Sequence, residues 1–267
     1  GTFQHDDNDG RYNSFINIGG LNKFALAYMG SGTKGYISSI SISDDGTAIS
    51  RGEMFMHDNY NLGAGGTDNS IVHVVGNIYA LASSRKSTDG YIKTFNLKAD
   101  GNIGAVTSLH HEYDRAEYSS LVKVDSDTYA LAYSGKDSDG YIKTFTISSN
   151  GETITEVAKI EFDSGNGQHH SFVQGAGNTY VLAYSGSDGD GYITTFSIPS
   201  DGSTITHVEA LEHDTDNGQY NSLLKLNSNH YALAYHGYSG ALAYIKIFMI
   251  SPDGFSITEK NNLKHGS

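Results

Sequence analysis

The sequence predicts an all-β fold, a five-bladed β-propeller of four-stranded antiparallel blades. Three observations carry that prediction. One stretch, YALAYSGKDSDGYIKTFTI at residues 129–147, recurs at 24–42, 79–97, 180–198 and 231–250. Its second tyrosine falls at Tyr36, Tyr91, Tyr141, Tyr192 and Tyr244, at spacings of 55, 50, 51 and 52 residues. A period near 50 marks a propeller or a related repeat array. Short apolar runs with period-two alternation fill each copy, which is a strand pattern and not a helical one. Each copy then meets a turn ending in Asp-Gly or Asn-Gly: 43–46, 98–101, 148–151, 199–202 and 251–254. Those dipeptides are the strongest short-range hairpin signal.

The elements follow in order. Residues 1–10, GTFQHDDNDG, copy the end of a later repeat at 211–218, and 11–18 copy 219–226. The chain therefore starts late in one repeat. The expectation is a single domain over 1–267, with repeats at 11–66, 67–116, 117–167, 168–218 and 219–267. Residues 1–10 are expected to close the ring by pairing with the last blade. In the third repeat the strands are expected at 119–124, 128–134, 141–147 and 154–160. Along 129–133, Tyr129, Leu131 and Tyr133 face one way, and Ala130 and Ala132 the other. Alanine is a poor strand former. Its recurrence at Ala25 and Ala27, Ala80 and Ala82, and Ala232 and Ala234 predicts close approach of stacked sheets.

Composition bounds the function. The chain has 30 acidic and 17 basic residues, a formal charge of −13. It carries no basic stripe, which argues against nucleic acid as a partner. No apolar run approaches the ~18 residues of a membrane span, so no membrane insertion is expected. Cysteine is absent, so disulfide and thiol chemistry are excluded. The 32 glycines beside only 2 prolines fit many tight turns.

Polar residues recur where one repeat passes to the next. These junctions hold Tyr12 and Asn13, Asp68 and Asn69, Tyr118, His169 and His170, and Tyr220 and Asn221. Such side chains hydrogen-bond sugar hydroxyls, and a tyrosine face stacks on a sugar ring. The alternative is that they satisfy turns and lock blade to blade. Carboxylates recur at Asp6, at Asp137 and Asp139, at Asp188 and Asp190, and at Asp214 and Asp216. Calcium is the one cofactor they would admit. The complete calcium loop with its terminal acid is missing, and solvated turns explain the same pattern. His110, His111, His169 and His170, with Tyr113, Glu117 and Tyr118, are the richest set for acid–base chemistry.

In blade number and repeat length the chain resembles the five-bladed propeller lectins of the tachylectin-2-like type. That resemblance implies one sugar site per repeat. The chain has no Trp, so stacking would fall to tyrosine. The leading expectation is a non-catalytic, multivalent carbohydrate-binding or adhesion module, outside the cell or on its surface. Its partner would be a glycan or cell-surface polysaccharide, neutral because the protein is acidic. Two alternatives stand beside it. One is a passive structural or protein-interaction module of a larger surface protein. The other is a polysaccharide-active hydrolase or lyase.

Overall fold

The computed structural model describes residues 2, 4–6, 10–59, 69–85, 89–237 and 242–265. It is all-β, with five sheets of four antiparallel strands, matching a multi-bladed β-propeller architecture. Sheet one holds β1 (Arg11–Asn17), β2 (Lys23–Gly30), β3 (Lys34–Ile42) and β4 (Ile49–Asp58). Sheet two holds β5 (Ser70–Val75), β6 (Ile78–Ser84), β7 (Gly90–Leu97) and β8 (Ile103–Glu112). Sheet three holds β9 (Glu117–Lys123), β10 (Thr128–Ser134), β11 (Gly140–Ile147) and β12 (Ile154–Asp163). Sheet four holds β13 (Gln168–Gln174), β14 (Thr179–Ser185), β15 (Gly191–Ser197) and β16 (Thr206–Asp214). Sheet five holds β17 (Gln219–Lys225), β18 (His230–His236), β19 (Ala243–Ile250) and β20 (Ile257–His265). In every sheet, strands adjacent in sequence are adjacent in space.

The turn sequences explain the hairpins between third and fourth strands. Gly46, Gly101, Gly151, Gly202 and Gly254 all have positive φ, from 66° to 97°. Glycine takes that conformation without a Cβ penalty. The preceding Asp or Asn caps the turn. Asp45, Asp100, Asn150, Asp201 and Asp253 each accept a backbone N–H two residues on, at 3.0–3.2 Å.

The chain forms two compact units, residues 1–127 with 146–155, and residues 128–145 with 156–267. In the first, Ala25, Ala27 and Ile37 of sheet one pack with Tyr79, Leu81 and Phe95 of sheet two. In the second, Val181, Ala183 and Ile193 of sheet four pack with Tyr231, Leu233 and Phe248 of sheet five. Alanines of one sheet thus share a core with large side chains of the next. Burying each large side chain contributes ~1.5–3 kcal/mol.

The closing role expected of residues 1–10 falls in part on residues outside those described. Sheet five is completed by its own four strands, and the described residues among the first ten form no strand. His5 and Asp6 bond to sheet one. Arg51 Nη1 donates to His5 O at 2.8 Å, and Asp6 accepts from Ser31 N at 3.1 Å and Ser31 Oγ at 2.9 Å. The reason lies in the repeat. His5-Asp6 copies His57-Asp58, a linker whose carboxylate reaches into the sheet that follows it.

Candidate functional site

Two places gather polar side chains beyond what the turns require. The first is the head of the innermost strands. The pairing of β1, β13 and β17 shifts register between Arg11 and Ser14, Gln168 and Ser171, and Gln219 and Ser222. Each shift encloses a residue in left-handed backbone: Tyr12 at φ 56°, His169 at 55° and Tyr220 at 53°. Tyr118, in β9, has φ 55°. Such a conformation costs ~1–3 kcal/mol in a non-glycine residue, and surrounding contacts must hold it. Asn69 Nδ2 donates to Tyr12 O at 3.0 Å, and Asn221 Nδ2 donates to His169 O at 3.1 Å and Gly218 O at 2.8 Å. Asn13 Nδ2 donates to Gly10 O at 3.1 Å. Serines complete the stitching, with Ser14, Ser70 and Ser171 accepting from Ile71 N, Leu121 N and Leu223 N.

In the second unit this bulge presents an aromatic platform. Tyr220 is 70% exposed. Its ring centroid lies 4.5 Å from that of His169 and 6.2 Å from that of His236. Asn217 Nδ2 donates to His236 Nδ1 at 3.1 Å and to Gly237 O at 3.1 Å. With Nδ1 accepting, a neutral His236 carries its proton on Nε2. Burial pushes the His169 pKa down to about 4, so its imidazole is neutral at pH 7. His170 turns inward and packs edge-on against Phe162, centroids 5.8 Å apart. Tyr12 and Tyr118 are half-buried. Asp68 lies outside the described residues.

The acidic candidates sit in turns and linkers. Asp214 accepts from Asp216 N, Asn217 N and Tyr235 Oη. Asp137 and Asp188 lie in short 3-10 turns with φ 57° and 60°, followed by Asp139 and Asp190. Burial, and then the charges of Glu161, Asp137 and Asp163, raises the Asp139 pKa. Among the described residues, no group of three or more His, Asp or Glu side chains is placed to hold a metal ion. His110 belongs to a stack in the first unit. Its ring lies 4.5 Å from Tyr91 and 3.9 Å from Tyr113, with Nε2 3.2 Å from Asp89 Oδ1.

The second place was not read from the sequence, and it is a break in the repeat. In four sheets a second-strand tyrosine stacks on the third-strand tyrosine. The pairs are Tyr28–Tyr36, Tyr133–Tyr141, Tyr184–Tyr192 and Tyr235–Tyr244, with centroids 5.4–5.7 Å apart. Two residues after the first tyrosine comes Gly30, Gly135, Gly186 or Gly237. A Cβ on Gly186 would sit 2.6 Å from the Tyr192 ring. Sheet two has Ser83 in place of that tyrosine and Arg85 in place of that glycine. The Arg85 guanidinium lies 4.2 Å from the Tyr91 ring centroid and donates to Tyr91 Oη at 2.8 Å. Arg85 Nε and Lys93 Nζ both reach Asp58 Oδ2, at 2.8 and 2.7 Å. Lys93 also donates to His57 O at 3.0 Å. Burial lowers the Lys93 pKa, and the Asp58 charge opposes that shift. Arg85, Lys93 and His57 border a cavity of ≈ 370 Å³ whose other walls include Phe55, Met56, Phe95 and Val106. The double change is legible in the sequence, where residues 83–85 read Ser-Ser-Arg and the other four repeats read Tyr-x-Gly.

No protein-family model matches the chain, and no curated protein matches it in sequence. Solved structures do match in fold. An assigned 6-phosphogluconolactonase from Bacteroides uniformis superposes with a TM-score of 0.71 at 12% identity, over 94% of this chain and 71% of that one. An assigned 6-phosphogluconolactonase from Bacteroides fragilis gives 0.67 at 11% identity, over 94% and 70%. The SapL1 lectin, in complex with alpha methyl fucoside, gives 0.56 at 11% identity, over 96% and 81%. At these identities the likeness shows the fold alone. The expectation of a non-catalytic module is corrected here. Similar structures include enzymes, among them a periplasmic gluconolactonase, a galactanase and a sialidase, so the fold gives no support to a non-catalytic reading.

Proposed function

We propose that the protein is a carbohydrate-acting enzyme, a hydrolase that holds a sugar ring against Tyr220 between His169 and His236. The observation that carries the reading is the exposed Tyr220 ring held in strained left-handed backbone beside two imidazoles. A tyrosine face covers the apolar face of a sugar, and the flanking nitrogens serve its hydroxyls. His236 offers a donor at Nε2 and His169 is neutral, so the pair also supplies groups for proton transfer. The fold's occurrence among lactonases and glycoside hydrolases supports the reaction class.

A polysaccharide substrate places the protein outside the cell or at its surface. The net charge of −13 favours neutral glycans.

The test is turnover of a panel of neutral oligosaccharides and sugar lactones, followed by product release. At least one should be hydrolysed. Tyr220→Ala should lower kcat/KM about tenfold, ~1.4 kcal/mol, with an unchanged melting curve. Full activity in Tyr220→Ala would remove the platform from the mechanism. No turnover of any member would overturn the enzymatic reading.

A further inference from the structure

We propose that the uncovered face of sheet five is an interface, and that its occupant is sheet one of a second copy of this chain. The repeat shows what such a face is built to meet. Strand pairing places Leu224, Ala232, Ala234, Ile245 and Leu263 on one face of sheet five. Sheet four carries the same face as Val173, Val181, Ala183, Ile193 and Leu211. There it packs on Tyr231, Leu233 and Phe248 of sheet five, and Val181, Ala183 and Ile193 are fully buried. Their sheet-five counterparts are open. Leu224 is 62% exposed, Leu263 60% and Ile245 38%. A contiguous apolar patch of this kind marks an interaction surface.

The matching surface is on sheet one. In sheet two, Ile71, Tyr79, Leu81 and Phe95 form the face that receives the alanines of sheet one, and all four are buried. The same positions in sheet one are Phe15, Phe24, Leu26 and Ile40. Phe15 is 52% exposed and stacks on Phe24 with centroids 4.8 Å apart, while Phe24 and Leu26 are only half-buried. The turn of sheet one is open as well. A Cβ on Gly101, Gly151, Gly202 or Gly254 would lie 2.8–3.2 Å from a side chain of the preceding sheet, whereas Gly46 has nothing within 4 Å among the described residues. One chain thus carries one uncovered surface of each kind. Joining them across two copies continues the sheet-on-sheet packing already made within each unit. The contact is heterologous, so each copy gives one face and takes one. Neither set of residues holds a charge, so apolar burial drives the contact against the mutual repulsion of chains at −13. The contact uses none of the residues around Tyr220 and stands apart from the carbohydrate reading.

The experiment is sedimentation velocity of the full chain from about 1 to about 100 μM. The wild type should associate as concentration rises, and more so when sodium chloride goes from about 10 to about 150 mM, which screens the repulsion. Leu224→Lys blocks the face of sheet five, and Phe15→Lys blocks that of sheet one. Both side chains are mostly exposed, so both variants should keep the wild-type melting temperature and stay monomeric. An equimolar mixture of the two should form a dimer and stop there, because one intact face of each kind is left. Leu263→Lys and Met54→Lys, on the same two faces, replace either variant that does not fold. A wild type that stays monomeric at about 100 μM would overturn the proposal. Association that survives in either single variant, or a mixture that stays monomeric, would overturn it too.

Discussion

His57 shows how one residue type serves the repeat. It stands at the end of β4, half-buried, with both ring nitrogens shielded from solvent and lacking a hydrogen-bond partner. A Cβ on Gly35 would run into its ring, which accounts for the glycine before Tyr36. His213 repeats the arrangement against Gly191, and Phe162 fills the equivalent position in sheet three. The ring is therefore used as an aromatic block. Burial first, then the charges of Lys93 and Arg85, pushes the His57 pKa from 6.5 down to about 3, with Asp58 opposing. His213 is pushed to about 4. The unfolded chain takes up these protons near pH 6.5, whereas the folded chain refuses them until much lower pH. The stability these residues contribute is complete above about pH 6.5 and is lost as pH falls toward 4 and below. Thermal melts from pH 7.5 to 4.5 should show a falling midpoint. His57→Phe should flatten part of that fall, leaving the share due to His213. Parallel curves for the two proteins would show that His57 does not carry the effect.

At the scale of the element, neighbouring sheets are tied by a repeated buried hydroxyl. Thr94 Oγ1 donates to Gly151 O, Thr144 Oγ1 to Gly202 O and Thr195 Oγ1 to Gly254 O, at 2.7–2.8 Å. Each bond joins a third strand to the turn of the next sheet. Two of these hydroxyls also accept, from Thr107 N and Ala158 N. Thr144→Val keeps the shape and removes both bonds, leaving a carbonyl and an amide short of a partner. The cost should be ~1–3 kcal/mol. In a protein of this size that lowers the melting temperature by about 2–4 °C per kcal/mol. Sheet five carries Ile247 at this position, so Ile247→Val should cost less than Thr144→Val in the same melt.

For the whole molecule the governing quantity is charge. With −13 distributed over 267 residues, self-repulsion opposes the compact state. Raising sodium chloride from about 10 to 150 mM shortens the Debye length and should raise the melting temperature at pH 8. At pH 5.5 the same salt should do less, since protonated histidines lower the net charge. A salt response equal at both pH values would assign the effect to something other than net charge.

The sequence by itself determined the sheets and their turns. Strand periodicity, Asp-Gly turns and the 50-residue repeat are local signals, and local backbone preference is strong enough to fix hairpins. It also located the junctions where Tyr12, Tyr118, His169 and Tyr220 stand. Their division of labour was settled only in three dimensions. Asn69 and Asn221 bond to backbone carbonyls across a sheet boundary, His170 turns inward, and Tyr220 is left exposed. Adjacent residues in one motif point to opposite faces, so the motif does not say which side chain meets solvent. The place of His5 and Asp6 was likewise a tertiary matter, since Asp6 finds Ser31 of sheet one. The cluster of Asp58, Arg85 and Lys93 draws on the end of β4, the residue after β6 and strand β7, 35 residues apart at the widest. Only packing brings such charges within bonding distance.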